Sequence, residues 1–149
     1  MKKVFKFIIC VFGPLLLGGL VALLVGMDNY GTMIKPPLSP PPIVFPIVWS
    51  ILYLLMGIGL YLVLRDNYNT KTIKIFCLQL GANLLWSFVF FNFGWYYFAA
   101  FWILVIMYFL IKMIIDFYNH KKIAGYLQFP YFIWLLIALY LAVGVAILN

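Results

Sequence analysis

Five long apolar runs, separated by short polar or basic stretches, constrain this chain more than any other feature. They cover about 7–26, 43–64, 75–93, 96–115 and 123–148. Each is close to or above the ~20 residues that a helix needs to cross the hydrocarbon of a bilayer. No water reaches backbone groups at that depth, so they must be satisfied inside the chain, and uninterrupted apolar runs of this length do so as helices. Of the 149 residues 68% are hydrophobic and 9% charged, with a mean hydropathy of +1.14. A soluble core of this size could not hide so much apolar surface. The expectation is an all-α integral membrane protein, a single transmembrane domain over residues 1–149, folded as a five transmembrane helix bundle with the bilayer as its first partner.

The formal net charge is +7, and its distribution carries the information. Lys2, Lys3, Lys6, Arg65, Lys71, Lys74, Lys112, Lys121 and Lys122 fall on the side shared by the N-terminus and the second and fourth connections, whereas Lys35 stands alone on the other. This asymmetry predicts a cytoplasmic N-terminus, an outer C-terminus and a multi-pass protein of the cell membrane, the inner or plasma membrane if bacterial. No basic face with interleaved aromatics can be drawn, so no nucleic acid is expected. The run 7–26 exceeds the ~7–15 residues of a signal-peptide core and lacks a small-x-small cleavage site before Asp28, so it is read as a retained helix. Cys10 and Cys77 lie in apolar runs and His120 is the single histidine; no metal set can be assembled from them, and no cofactor is expected.

The connection at 27–42 holds Lys35-Pro36-Pro37-Leu38-Ser39-Pro40-Pro41-Pro42. Prolines fix φ and remove donors, so this is a stiff, extended outer loop, and it feeds an aromatic helix as a lid would. In that helix Trp49, Tyr53 and Met56 recur at i, i+4 and i+7. In the third run Gln79, Asn83, Trp86, Ser87 and Phe90 share one face, which must point into the protein because unpaired polar groups in lipid are expensive. Structural hydrogen bonding and ligand contact account for that face equally well. Gly18, Ala22 and Gly26 share a face of the first helix and suit close packing. Asn92-Phe93-Gly94 predicts a tight hairpin. Most of Trp95, Tyr96, Tyr97 and Trp102 read as an interfacial belt. Asp116–Lys122 reads as a loop with a solvated His120, and Pro130 should interrupt the fifth helix.

Asp28, Asp66 and Asp116 all fall at run ends or in connections, so no carboxylate is placed to couple an ion gradient. No nucleophile with its base, paired carboxylates or phosphate loop is present either. Anything bound within the bundle would be held by aromatic walls, neutral polar groups and shape.

Tyr30-x-x-x-x-Lys35-Pro36, Pro40-Pro41, Phe45-Pro46-x-x-Trp49-Ser50-x-x-Tyr53-x-x-Met56-Gly57, Asn83-x-x-Trp86-Ser87 with Phe90-Phe91, and Pro130-Tyr131-x-x-Trp134-x-x-x-Ala138-x-x-Leu141 follow one another along nearly the whole chain. Together they resemble the tryptophan-rich sensory protein, or translocator protein, family (TspO/MBR), also called the peripheral-type benzodiazepine receptor family. The resemblance implies an often dimeric five-helix bundle with a pocket beneath the first loop for porphyrins and related planar hydrophobic ligands. The family's pocket would fall here on Tyr30, Pro41, Trp49, Asn83, Trp86, Phe90, Trp134, Ala138 and Leu141. The first function it implies is a membrane sensor, scavenger or carrier for such ligands, acting as a homodimer. A second is light- and oxygen-dependent degradation of protoporphyrin IX, with Trp49 and Trp134 as the implicated residues; a third is a structural protein without a ligand. Two positions depart from the family. Leu38 replaces a loop tryptophan, expected to remove a lid contact, and Ala142 replaces an asparagine. The animal cholesterol pattern fails, since nothing basic follows Tyr140.

Overall fold

The first and third helices start earlier, and the fourth ends later, than hydropathy alone indicates. In the computed structural model, which describes residues 2–26, 28–65 and 68–149, α1 spans Lys2–Val25, and a 3-10 turn follows at Asp28–Gly31. α2 is Val44–Leu64, α3 is Thr70–Ser87, α4 is Tyr96–His120, α5 is Lys122–Tyr126 and α6 is Phe129–Leu148. All secondary structure among the described residues is helical. Counting α5 with α6 as one span, five helical segments are long and apolar enough to cross a membrane. Asp66, read as part of the exit from the second run, lies outside the described residues.

The added turns have local causes. Asn69 caps α3, its side chain accepting from Thr72 N–H at 3.2 Å, so α3 begins five residues before the apolar run. The expected loop from Asp116 is instead the last turn of α4. Asp116 is buried and accepts the Thr72 hydroxyl at 2.6 Å. His120 is bonded to the Asp116 carbonyl at 2.8 Å and to the Asn69 side chain at 3.0 Å, so it joins two helix ends instead of lying in a solvated loop. At 25 residues α4 is about 37 Å long, which carries its last polar turn beyond a ~30 Å hydrocarbon layer.

α1 packs chiefly on α2, α3 on α4, and α4 on α6. Where α1 meets α2, a Cβ at Gly57 would collide with the Cys10 carbonyl and lie 2.6 Å from Val11 Cα. Pro14 has no N–H to offer the Cys10 carbonyl four residues back. The carbonyl that Pro14 leaves without its usual helical donor thus faces Gly57 of α2. Lys6 Nζ donates to the Leu64 carbonyl at 3.2 Å, satisfying an acceptor at the end of α2. Trp102, one of the group read mostly as an interfacial belt, donates to the Ala82 carbonyl at 2.7 Å and fastens α4 to α3. Trp95 and Tyr97 of that group are exposed.

Two departures from regular helix shape the bundle. Phe88–Asn92 forms a π-helical turn, with Phe93 N–H reaching the Phe88 carbonyl at 2.9 Å. The chain then reverses through Gly94, whose φ of +67° suits a residue without Cβ. The fifth span breaks between Tyr126 and Phe129, with Pro130 in the first turn of α6 where its missing N–H is tolerated. Gln128, fully buried, fills the break by donating to the Leu55 and Ala124 carbonyls at 3.0 and 3.3 Å.

Candidate functional site

The proline-rich loop is docked, chiefly on α6. Tyr140 donates its hydroxyl to the Pro37 carbonyl at 2.5 Å, and the Asn149 amide brackets Ile34, donating to its carbonyl at 2.7 Å and accepting from its N–H at 3.3 Å. A Cβ at Gly144 would clash with the Pro36 ring, so glycine allows the loop to lie against the helix. Within the loop, Lys35 Nζ donates to the Tyr30 carbonyl at 2.8 Å, and Ser39 to that of Pro36 at 2.7 Å. Tyr30, fully buried, donates to the Pro40 carbonyl at 2.5 Å, and burial pushes its hydroxyl pKa up from the usual tyrosine range.

Beneath the loop lies an aromatic cluster. Phe45 meets Tyr30, Phe91 and Trp134 edge to face at 5.1, 6.0 and 5.6 Å between centroids. Trp86 stacks on Phe90 at 4.9 Å and meets Phe91 at 5.8 Å. The π-helical turn explains how consecutive Phe90 and Phe91 are both buried, since a wider turn brings adjacent side chains toward one face. Beside this cluster a cavity of about 270 Å³ opens between α1, α2 and the end of α3. Gly18, Ala22, Gly26, Phe45, Trp49 and Phe91 are among the residues that line it. The small-residue face of α1, which by spacing alone reads as a packing surface, forms one wall. Gly18 also abuts the Tyr53 ring, which a Cβ would strike.

The polar face of α3 points inward, as its composition requires. Asn83 accepts from Tyr53 at 2.9 Å and donates to Tyr131 at 2.7 Å, while the Tyr131 hydroxyl donates to Gln79 at 3.0 Å. Gln79 in turn donates to Met56 Sδ at 3.6 Å. Tyr53 and Tyr131, one on each side of the Asn83 amide, are the partners that reading one helix at a time does not supply. Three buried side-chain atoms have no partner among the described residues: the indole N–H groups of Trp86 and Trp134, and Gln128 Oε1 at the break in the fifth span.

The nine residues singled out from sequence therefore have different surroundings. Trp49 lines the cavity, stacks on Tyr53 at 5.6 Å and meets Trp134 edge to face at 6.3 Å. Trp86, Phe90 and Trp134 are in the buried cluster behind it. Tyr30 holds the loop, and Asn83 joins three helices. Ala138 and Leu141 are buried in α6, and Pro41 is exposed, its carbonyl accepting from Val44 N–H at 3.0 Å at the start of α2. Phe45 and the α1 residues Gly18 and Ala22 were not in the sequence-derived set. The Phe45-Pro46 pair carried a signal for the first, and the small-residue face that reads as packing carried one for the other two.

The sequence signature of the TspO/MBR family matches residues 7–148, nearly the entire chain. The chain belongs to the TspO/MBR family. It is 32% identical over 124 residues to a tryptophan-rich protein TspO of Chlorobaculum tepidum, covering 80% of this chain and 78% of that one. A protein of the same name from Archaeoglobus fulgidus is 34% identical over 122 residues, with 80% and 79% covered. The translocator protein of Homo sapiens is 30% identical over 118 residues, with 74% and 68% covered. The protein is thus a multi-pass membrane protein of the TspO/MBR family.

Proposed function

We propose that this TspO/MBR protein binds porphyrins and related planar, largely apolar ligands beneath its proline-rich loop, as a sensor, scavenger or carrier. The observation that carries the reading is the pair of buried indole N–H groups of Trp86 and Trp134 that lack acceptors. A buried donor left unpaired costs about 1–3 kcal/mol, which a ligand carrying carboxylates or other acceptors would recover. The cavity provides the approach. At about 270 Å³ it is smaller than the ~300–1,000 Å³ of usual ligand pockets. Phe45 and Phe91 each line it and each pack against one of the two indoles. Rotation of these two rings would join the cavity to both donors, and the site would become a flat slot between aromatic faces.

Titration of the detergent-purified protein with protoporphyrin IX is expected to quench tryptophan fluorescence saturably. Trp86→Phe and Trp134→Phe keep a ring and remove the donor. Each is expected to weaken binding roughly tenfold, the loss of a hydrogen bond to a charged acceptor. Non-saturable quenching, or unchanged affinity in both variants, would overturn the reading.

A second reading, photo-oxidative porphyrin degradation, draws on the position of Trp49, on the cavity wall and 6.3 Å from Trp134. Illumination of the complex separates the two: a discrete product that disappears in Trp49→Phe favours degradation, and slow bleaching at the free-dye rate favours binding alone. The proposal also includes a homodimer, a loop on the outer side of the membrane and a lysine-rich end in the cytoplasm. For the dimer, α1 presents an open apolar groove between Ile8, Phe12 and Leu16, with empty space over Gly13 and Gly19.

A further inference from the structure

A second concavity, remote from the loop, lies between the first turns of α3 and the last turns of α4. It encloses about 470 Å³ and is lined by Lys71, Lys74 and Lys112. The two helices are antiparallel, so their charged ends coincide. On α3 the residues facing the cleft run from Lys71 and Lys74 to Ile75 and Leu78; on α4 they run from Asn119, Asp116 and Ile115 through Lys112, about two turns inside the helix end, to Phe109. On each helix the lysines give way to apolar side chains nearer mid-membrane, where Leu78 is exposed and Phe109 half-buried.

The electrostatic balance favours an anion. Asp116 also lines the cleft, but its carboxylate is buried and accepts the Thr72 hydroxyl. Three lysines against one aspartate leave a formal charge of +2. Among the described residues, the ion-pair contact at this end joins His120 to Asp116 at 3.9 Å and does not involve the three lysines. Lys112 is held over the Tyr108 ring, 4.9 Å from its centroid. A free anion would satisfy the ammonium groups and leave the apolar floor uncovered. A lipid with a phosphate headgroup covers both, because its charge and its chains lie along the same axis as the gradient in the cleft.

We propose that this cleft binds one anionic phospholipid, with its phosphate held by Lys71, Lys74 and Lys112 and an acyl chain lying along Ile75, Leu78 and Phe109. The site is separate from the aromatic pocket and does not depend on what that pocket binds.

Native mass spectrometry of the full chain, released from nanodiscs of mixed phosphatidylcholine and phosphatidylglycerol, tests the assignment. One phosphatidylglycerol is expected to be retained in preference to phosphatidylcholine. The triple variant Lys71→Gln, Lys74→Gln, Lys112→Gln is expected to lose that preference, with affinity falling roughly fivefold per lysine. A control of equal charge, Lys2→Gln, Lys3→Gln, Lys122→Gln, is expected to keep it. Circular dichroism checks that each variant remains helical. If both triple variants lose the lipid equally, diffuse surface charge is responsible and the site is refuted. Absence of any preference for phosphatidylglycerol refutes it too. Glycerol phosphate, the headgroup without chains, is expected not to compete at equal concentration; effective competition would assign the cleft to free phosphate instead of lipid.

Discussion

Leu38 has a φ of 66° and is 95% exposed. A left-handed backbone at a residue with a Cβ costs about 1–2 kcal/mol. At that exposure the leucine side chain points away from the loop's interior and covers nothing beneath it. Leu38→Gly is expected to stabilise the docked loop by about 1 kcal/mol, measured as slower amide hydrogen exchange across Met33–Ser39. Unchanged or faster exchange would mean that the left-handed turn is not what the loop adopts. Asn83 illustrates a limit of reading residues singly. Its type and its inward face follow from α3 alone, but whether it contacts a ligand or other helices depends on Tyr53 and Tyr131, respectively 30 and 48 residues away. Trp86 and Trp134 have the converse history. Both were picked out from sequence, and the structure adds that their N–H groups lack acceptors.

At the scale of elements, the close approach of α2 to the α1 backbone at Cys10 and Val11 depends on Gly57. Gly57→Val would place a branched side chain against Cys10 and Val11 backbone atoms. Destabilisation by about 3 kcal/mol is expected, with Gly57→Ala intermediate, read from thermal denaturation in detergent. A melt indistinguishable from wild type would show that the helices do not approach this closely. The number and order of the spans were legible because lipid leaves so few backbone solutions. Several of their ends were not. Lys71, Lys74, Asp116 and His120 look like connection by hydropathy, but helices continue through the headgroup layer, where charged side chains are at ease and caps such as Asn69 can act. The π-helical turn at Phe88–Asn92 was also hidden, because no residue in Phe-Val-Phe-Phe-Asn forces one extra residue into a turn.

For the molecule as a whole, the lysine asymmetry predicts the loop outside and the α4–α5 junction inside. In a background lacking Cys10 and Cys77, Leu38→Cys is expected to react with a membrane-impermeant maleimide on intact cells, and Asn119→Cys only after lysis. The reverse pattern would invert the proposed topology. The pocket's far wall could not be anticipated from spacing, because Gly18, Ala22 and Gly26 have the same pattern whether they admit a neighbouring helix or leave a space. Both occur: Gly18 abuts Tyr53, and all three line the cavity. The loop has one further consequence, for the order of synthesis. It lies between α1 and α2 in the chain, yet Ile34, Pro36 and Pro37 are docked on α6 and the residue after it, Asn149. A ribosome delivers α6 after every other helix. The cover therefore leaves the ribosome early and can be fastened only after α6 is in the membrane, so a bundle that lacks α6 is open at the loop end.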